Sequence, residues 1–137
     1  MLINNTNRAH TTWSKEQLTA AKAYGEIVDM IMPGLEAEAD EAEADRVAGL
    51  VVRRILRRLG REETEKNGDT ESDSGDFGDA VLCQGDFTLV YRVVRLLKDA
   101  GIAVMAPTFQ RVTKPTLRPD GTTVPGYSFD FVRFRSY

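Results

Sequence analysis

Ala80-Val81-Leu82-Cys83-Gln84-Gly85-Asp86-Phe87-Thr88 is the stretch whose reading decides the fold. Four apolar residues stop at a glycine corner. Leu89-Val90-Tyr91-Arg92-Val93-Val94-Arg95-Leu96-Leu97-Lys98-Asp99-Ala100 then restarts with helical spacing, and Gly101 separates it from a second apolar run, Ile102-Ala103-Val104-Met105-Ala106. Strand, helix and strand in that order form a βαβ unit with a parallel pair of strands. Its corner, Gln84 to Thr88, would offer backbone N–H groups and a hydroxyl to an anionic ligand.

The same alternation extends toward the start of the chain. Leu2-Ile3 with Asn4-Asn5-Thr6 reads as a short strand that runs into a polar loop, Asn7 to Thr12. Ser14 followed by Gln17 resembles a capping box, and the helix it opens stops near Gly25. Glu26-Ile27-Val28-Asp29-Met30 is a second strand, closed by Pro33-Gly34. Acids from Glu36 to Asp45 precede arginines from Arg46 to Arg61, with Val47, Leu50, Val51, Ile55 and Leu59 at helical spacing. This predicts a helix over roughly Asp40 to Leu59, its charges matched to the helix dipole and its arginines on a solvated face.

Arg61 to Gly78 is poor in apolar residues and rich in Glu, Asp, Ser and Gly, which reads as a mobile acidic insertion. After the βαβ unit, Thr108–Thr113 and Tyr127–Phe134 alternate around Pro119-Asp120-Gly121 and predict an antiparallel hairpin. Phe129 and Phe131 share a face, and Phe134 falls out of phase, as at a β-bulge. The expected fold is therefore α/β: a Rossmann-like three-layer sandwich, mostly parallel, with a C-terminal β-hairpin, in one domain over residues 1–137.

Composition narrows the function. The chain has 137 residues, 42% of them apolar, a formal net charge of -3, and one cysteine. This argues against a surface that grips duplex nucleic acid, and against a disulfide framework or a thiol-rich metal site. No run spans a membrane and the first residues do not read as a signal peptide, so a cytoplasmic protein is expected. The absence of a Walker loop and of GxGxxG after the first strand argues against ordinary NTP or NAD binding, the distance between His10 and Cys83 in the chain argues against a nucleophilic triad, and a zinc site would lack ligands, so no metal or cofactor is expected.

Ligands of such sheets bind beyond the carboxyl ends of the strands. The loops there pool Asn5, Thr6, Arg8, His10, Thr11, Thr12, Trp13, Gln84, Asp86, Thr88, Thr108 and Arg111. These are tools for recognising phosphates and bases. RNA cleavage by the substrate's own 2′-hydroxyl stays open, because it asks the protein mainly to align the strand and stabilise charge. Arg8, Arg111 and the amides from Gly85 to Thr88 would serve that end. Plainer readings stand beside these: His10 as a surface residue, Trp13 as a hydrophobic staple, Asp86 as a helix cap, Cys83 as core, and Arg111 as either ligand or surface.

The strand ending in Asn5-Thr6, the Trp13-Ser14-Lys15-Glu16-Gln17-Leu18 helix start, Gly25-Glu26-Ile27-Val28-Asp29, Gly85-Asp86-Phe87-Thr88 and Phe131-Val132-Arg133-Phe134-Arg135 together resemble small stand-alone CRISPR-associated proteins. They are similar to minimal CARF-type domains, in particular the ring nucleases of type III CRISPR systems. The resemblance implies a homodimer that binds cyclic oligoadenylate, with cyclic tetraadenylate the expected ring, and cleaves it without a metal to switch off the antiviral signal. It implies catalytic roles for Arg8, His10 and Arg111. It implies ligand binding by Asn5, Thr6, Trp13, Gln84, Gly85, Asp86, Phe87, Thr88 and Thr108. The acidic insertion departs from the pattern and would repel an anionic ligand near the cleft. A non-catalytic sensor or sponge, or a protein-interaction module, remains the alternative.

Overall fold

A computed structural model describes residues 1–61 and 77–137. The acidic insertion expected over 61–78 thus lies, apart from its ends, outside the described residues. The elements in chain order are β1 (Leu2–Asn5), a 3₁₀ turn (His10–Thr12), α1 (Lys15–Lys22), β2 (Ile27–Asp29), α2 (Glu41–Arg58), β3 (Ala80–Cys83), α3 (Phe87–Asp99), β4 (Ala103–Thr113), β5 (Thr116–Leu117), β6 (Thr123–Val124) and β7 (Tyr127–Ser136). Among the described residues the fold is mixed α/β, with a mostly parallel five-stranded sheet and three α-helices.

The helix ends follow the local chemistry. Ser14, Asp40 and Asp86 each cap a helix by accepting from a backbone N–H of the first turn. Arg57 and Arg58 close α2, which ends within a residue of its expected limits. Past α3, Gly101 takes φ 76°, a left-handed conformation that lets Ile102 N–H donate back to the Leu97 carbonyl at 3.0 Å.

The sheet order is β2-β1-β3-β4-β7, with β1, β2, β3 and β4 parallel and β7 antiparallel to β4. The chain steps from β1 to β2 in one direction and from β2 past β1 to β3 in the other. Right-handed crossovers then put α1 on one face and α2 and α3 on the other. The packing divides in that way: Ile3, Val81, Cys83 and Val104 meet Ile55, Val93 and Leu97, while Leu2, Leu82 and Met105 meet Ala21, with Trp13 and Tyr24. β1 and β3, inside the sheet, are buried along their whole length, which is why β3 reads as a continuous apolar run.

One expectation needs correction. The fourth strand and the first strand of the predicted hairpin are a single strand, β4, which continues through Pro107. Pro107 falls beyond Met105, the last residue that β4 pairs with β3, so one side of the strand there has no ladder to break. The pairing of β4 with β7 runs from Met105↔Ser136 to Thr113↔Tyr127 and shifts register between Thr108 and Phe109. Val132 is the extra residue, because Thr108 faces Arg133 while Phe109 faces Phe131. The shift accounts for the odd phase of Phe134, whose ring lies 5.0 Å from that of Phe131.

Candidate functional site

β1 lies between β2 and β3, and the connections leave it in opposite directions, so the carboxyl ends of β1 and β3 open a crevice. A cleft of about 530 Å³ occupies this place on the α1 side of the sheet. The loop after β1 supplies Thr6, Asn7, Arg8, Thr12 and Trp13; α1 and its cap supply Gln17 and Ser14. Gln84 follows β3, and Pro107, Phe109, Phe129 and Phe131 form a wall on the β4–β7 ribbon.

A polar network fixes the loop after β1. Asn4 is fully buried, and its Nδ2 donates to the Arg8 carbonyl at 2.7 Å and to Asp29 Oδ1 at 2.6 Å. Its Oδ1 accepts from Thr6 Oγ1 at 2.8 Å. Asp29, at the end of β2, also accepts from the His10 backbone N–H at 3.0 Å, and its Oδ2 lies 2.9 Å from His10 Nδ1. Burial alone would raise the Asp29 pKa, but hydrogen bonds from Asn4 and from the backbone and ring of His10 outweigh it and hold the carboxyl below its ordinary value. The edge of His10 meets Trp13, ring centroids 6.2 Å apart.

Arg8 is the one ionised group among the described residues lining the cleft. Its guanidinium makes no hydrogen bond or ion pair among the described residues. A free guanidinium, six amide or hydroxyl side chains and three phenylalanines, with no carboxylate among the described lining residues, suit an anion that carries flat apolar groups. The aromatic wall is also open to water: Phe109 is 45% and Phe129 63% exposed. Phe109 meets Phe131 edge-on at 6.2 Å, and Tyr127 meets Phe129 at 5.6 Å.

Residues 2–135 match the Uncharacterized protein MJ1673 family. The chain belongs to that family. No curated protein and no solved structure matches it.

In this MJ1673-family chain the cleft brings together Thr6, Arg8, Trp13 and Gln84 of the expected site. Trp13 both lines the cleft and packs on the core near Leu2 and Leu82. His10 stands beside the cleft on the loop that Asp29 anchors. Asn5 points to the opposite face, where its Nδ2 donates to the Met30 carbonyl at 2.7 Å. The Thr108 hydroxyl donates to the Arg133 carbonyl, and Arg111 lies farther out along β4 with its guanidinium 4.0 Å over the Tyr127 ring. Neither of these two lines the cleft.

The glycine corner is a separate, neighbouring hollow. Gly85, Asp86 and Phe87 line a space of about 460 Å³ with Asn7 and Gln84. Asp86 Oδ1 already accepts from the Thr88 N–H at 3.0 Å, the Thr88 hydroxyl at 2.7 Å and the Leu89 N–H at 3.1 Å. The donors foreseen for a ligand at Thr88 are thus held by the helix's own carboxylate, led by the Thr88 hydroxyl in keeping the Asp86 pKa low. Gly85 is required there for space, since a Cβ on it would come within 2.9 Å of Met32 Cγ.

Sequence reasoning missed Asn4, Asn7, Gln17, Asp29 and the phenylalanine wall. Asp29 had a signal, because it ends a parallel strand as Asn5 and Cys83 do, and the loop after β2 belongs to the same crevice rim. The phenylalanines were legible as a strand face, and their place beside the cleft depends on β7 lying next to β4.

Proposed function

We propose that this chain binds cyclic oligoadenylate in the cleft and opens the ring, acting as a ring nuclease on a Rossmann-like sandwich with a C-terminal hairpin. The observation that carries the reading is the cleft itself: an Arg8 guanidinium without a partner among the described residues shares it with Phe109, Phe129 and Phe131 at the β1/β3 crevice. Its volume lies within the range of about 300–1,000 Å³ common to small-molecule sites. Arg8 would hold a phosphate, the phenylalanines would stack bases, and Asn7 and Gln84 would meet ribose or base edges.

Cleavage needs the ribose 2′-oxygen to attack the adjacent phosphorus while the bond to the 5′-oxygen breaks. The products are a 2′,3′-cyclic phosphate and a 5′-hydroxyl. With Nδ1–H donated to Asp29, His10 keeps Nε2 free to take the 2′-proton, and the departing 5′-oxygen takes a proton from water. The reading extends to a cytoplasmic homodimer, supported by the exposed Tyr127 and Phe129 rings on β7. Binding without cleavage is the second reading, favoured by the fact that His10 does not line the cleft.

The test is incubation of the purified chain with cyclic tri-, tetra- and hexaadenylate, with and without EDTA, followed by product separation. Linear products ending in a cyclic phosphate in EDTA support the nuclease, and loss of them in Arg8→Ala locates the site. Bound but intact ring selects the sensor. A chain that neither binds nor cleaves any of the three ends both readings and leaves an interaction module.

A further inference from the structure

Gln17 is the third residue of α1, and the Ser14…Gln17 spacing assigns its side chain to a reciprocal cap. Only half of that cap forms. The Gln17 backbone N–H donates to Ser14 Oγ at 3.2 Å, but its side-chain amide has no hydrogen-bond partner among the described residues. The residue is nevertheless only 4% exposed. Burying an amide without a partner is unfavourable, and such groups call for an explanation.

No fully sealed side-chain nitrogen or oxygen among the described residues lacks a partner, so the Gln17 amide keeps some contact with solvent. Gln17 lines the cleft, and that is where a residue so nearly enclosed meets water. It shares the cleft with the exposed ring of Phe129 and with Arg8. An amide beside a stacking surface offers one acceptor, Oε1, and one donor, Nε2, in a fixed plane. Adenine presents the complement on one edge, its N6 amino group and N7, whereas guanine or hypoxanthine presents two acceptors there.

We propose that Gln17 is a specificity-determining residue that reads the N6/N7 edge of an adenine base stacked on the phenylalanine wall. The inference rests on the reading of the cleft as a nucleotide site and adds to it the choice of base. Adenine in a closed ring and adenine in a linear strand share this chemistry.

The experiment follows the fluorescence of Trp13, the only tryptophan, by stopped flow before turnover. The purified chain and Gln17→Met are mixed with cyclic tetraadenylate, linear tetraadenylate, and a cyclic ring carrying inosine in place of adenosine. The wild-type chain is expected to prefer the adenine ring over the inosine ring by roughly five- to hundredfold, and Gln17→Met to lose that preference. Equal binding of both rings by the wild-type chain overturns the role of Gln17 while leaving the nucleotide site standing. A preference that survives in Gln17→Met does the same. Binding of none of the three probes removes the nucleotide site and the inference together. The linear probe tells whether ring or strand is the source of the adenine. Should Gln17→Met fail to fold, Gln17→Ala takes its place with the same expected loss of preference, and equal binding of both rings by the wild-type chain still overturns the role.

Discussion

His10 is tied to Asp29 twice, through its backbone N–H at 3.0 Å and its ring Nδ1 at 2.9 Å, across the gap between the loop after β1 and the end of β2. The pair sets both the position of the loop and the tautomer of the imidazole. Asp29→Asn separates these effects. An asparagine Oδ1 still accepts from Asn4 and from the His10 backbone, but its Nδ2 is a donor facing Nδ1, so the ring proton moves to Nε2. Under the ring-nuclease reading proposed above, the expected outcome is a chain that folds and binds cyclic oligoadenylate normally but turns it over at least tenfold more slowly. Nitrogen chemical shifts of the neutral His10 ring should show the exchanged tautomer. An unchanged tautomer would disprove the assignment.

Asp29→Ala removes the anchor altogether. Each hydrogen bond to an ionised acceptor contributes roughly 1.5–3 kcal/mol, toward the lower figure here because the two side chains are 33% and 26% exposed. The loop that carries Arg8 and Trp13 should loosen first. We expect red-shifted, more readily quenched Trp13 emission with helical circular dichroism retained. Under the same proposed reading, binding of cyclic oligoadenylate should weaken in parallel, since Arg8 shares the loop.

The periodicity of the sequence carried most of the sheet and little of the site, for a physical reason. Buried parallel strands and capped helices are local patterns, and Asp40, Gly60, Asp86 and Gly101 mark their ends almost to the residue. A site is a meeting of segments. Asn4 and Asn5 are adjacent and alike in the chain, yet strand alternation sends Asn4 to the loop network and Asn5 to the α2 face, and only the placement of α1 and β7 tells which face holds the cleft. Likewise Ser14…Gln17 predicts a cap from spacing alone, whereas the open cleft beside α1 draws the glutamine side chain away from it.

Gly85→Ala tests the close approach at the β3 corner. The added methyl would sit 2.9 Å from Met32 Cγ and 3.6 Å from its Cβ, and neither is the free end of that side chain. Overpacking of this kind costs about 1–3 kcal/mol, which for a chain of this length lowers the melting temperature by several degrees. In a Met32→Ala background the same change should cost less. A double-mutant cycle with no coupling would show that the two residues do not press on each other.

Asp86 gives the acid limb of stability a definite sign. Its folded pKa lies below the ordinary aspartate value, first through the Thr88 hydroxyl and then through the Leu89 N–H. A lowered folded pKa stabilises the native state above the unfolded value and loses that contribution as pH falls through the folded one. Asp86→Asn should therefore reduce stability at pH 7 and flatten the decline below about pH 4. Denaturant unfolding at a series of pH values reads both, and parallel curves for the two chains would refute the cap.

Cys83 supplies a probe of global unfolding. It is the only cysteine, fully buried on the α2/α3 side of the sheet, and burial pushes its thiol up to about 12. The folded chain should resist a thiol reagent at pH 8, because little thiolate forms and none of it is accessible. Labelling should then proceed at the rate at which the sheet opens and accelerate in step with added denaturant. The raised pKa also makes the folded state lose stability as pH climbs from about 8.5, where the unfolded thiol ionises and the folded one does not. Cys83→Ala should remove that alkaline decline while adding a cavity cost that is independent of pH. Rapid labelling of the native chain at neutral pH would mean that β3 opens locally, without the rest of the sheet.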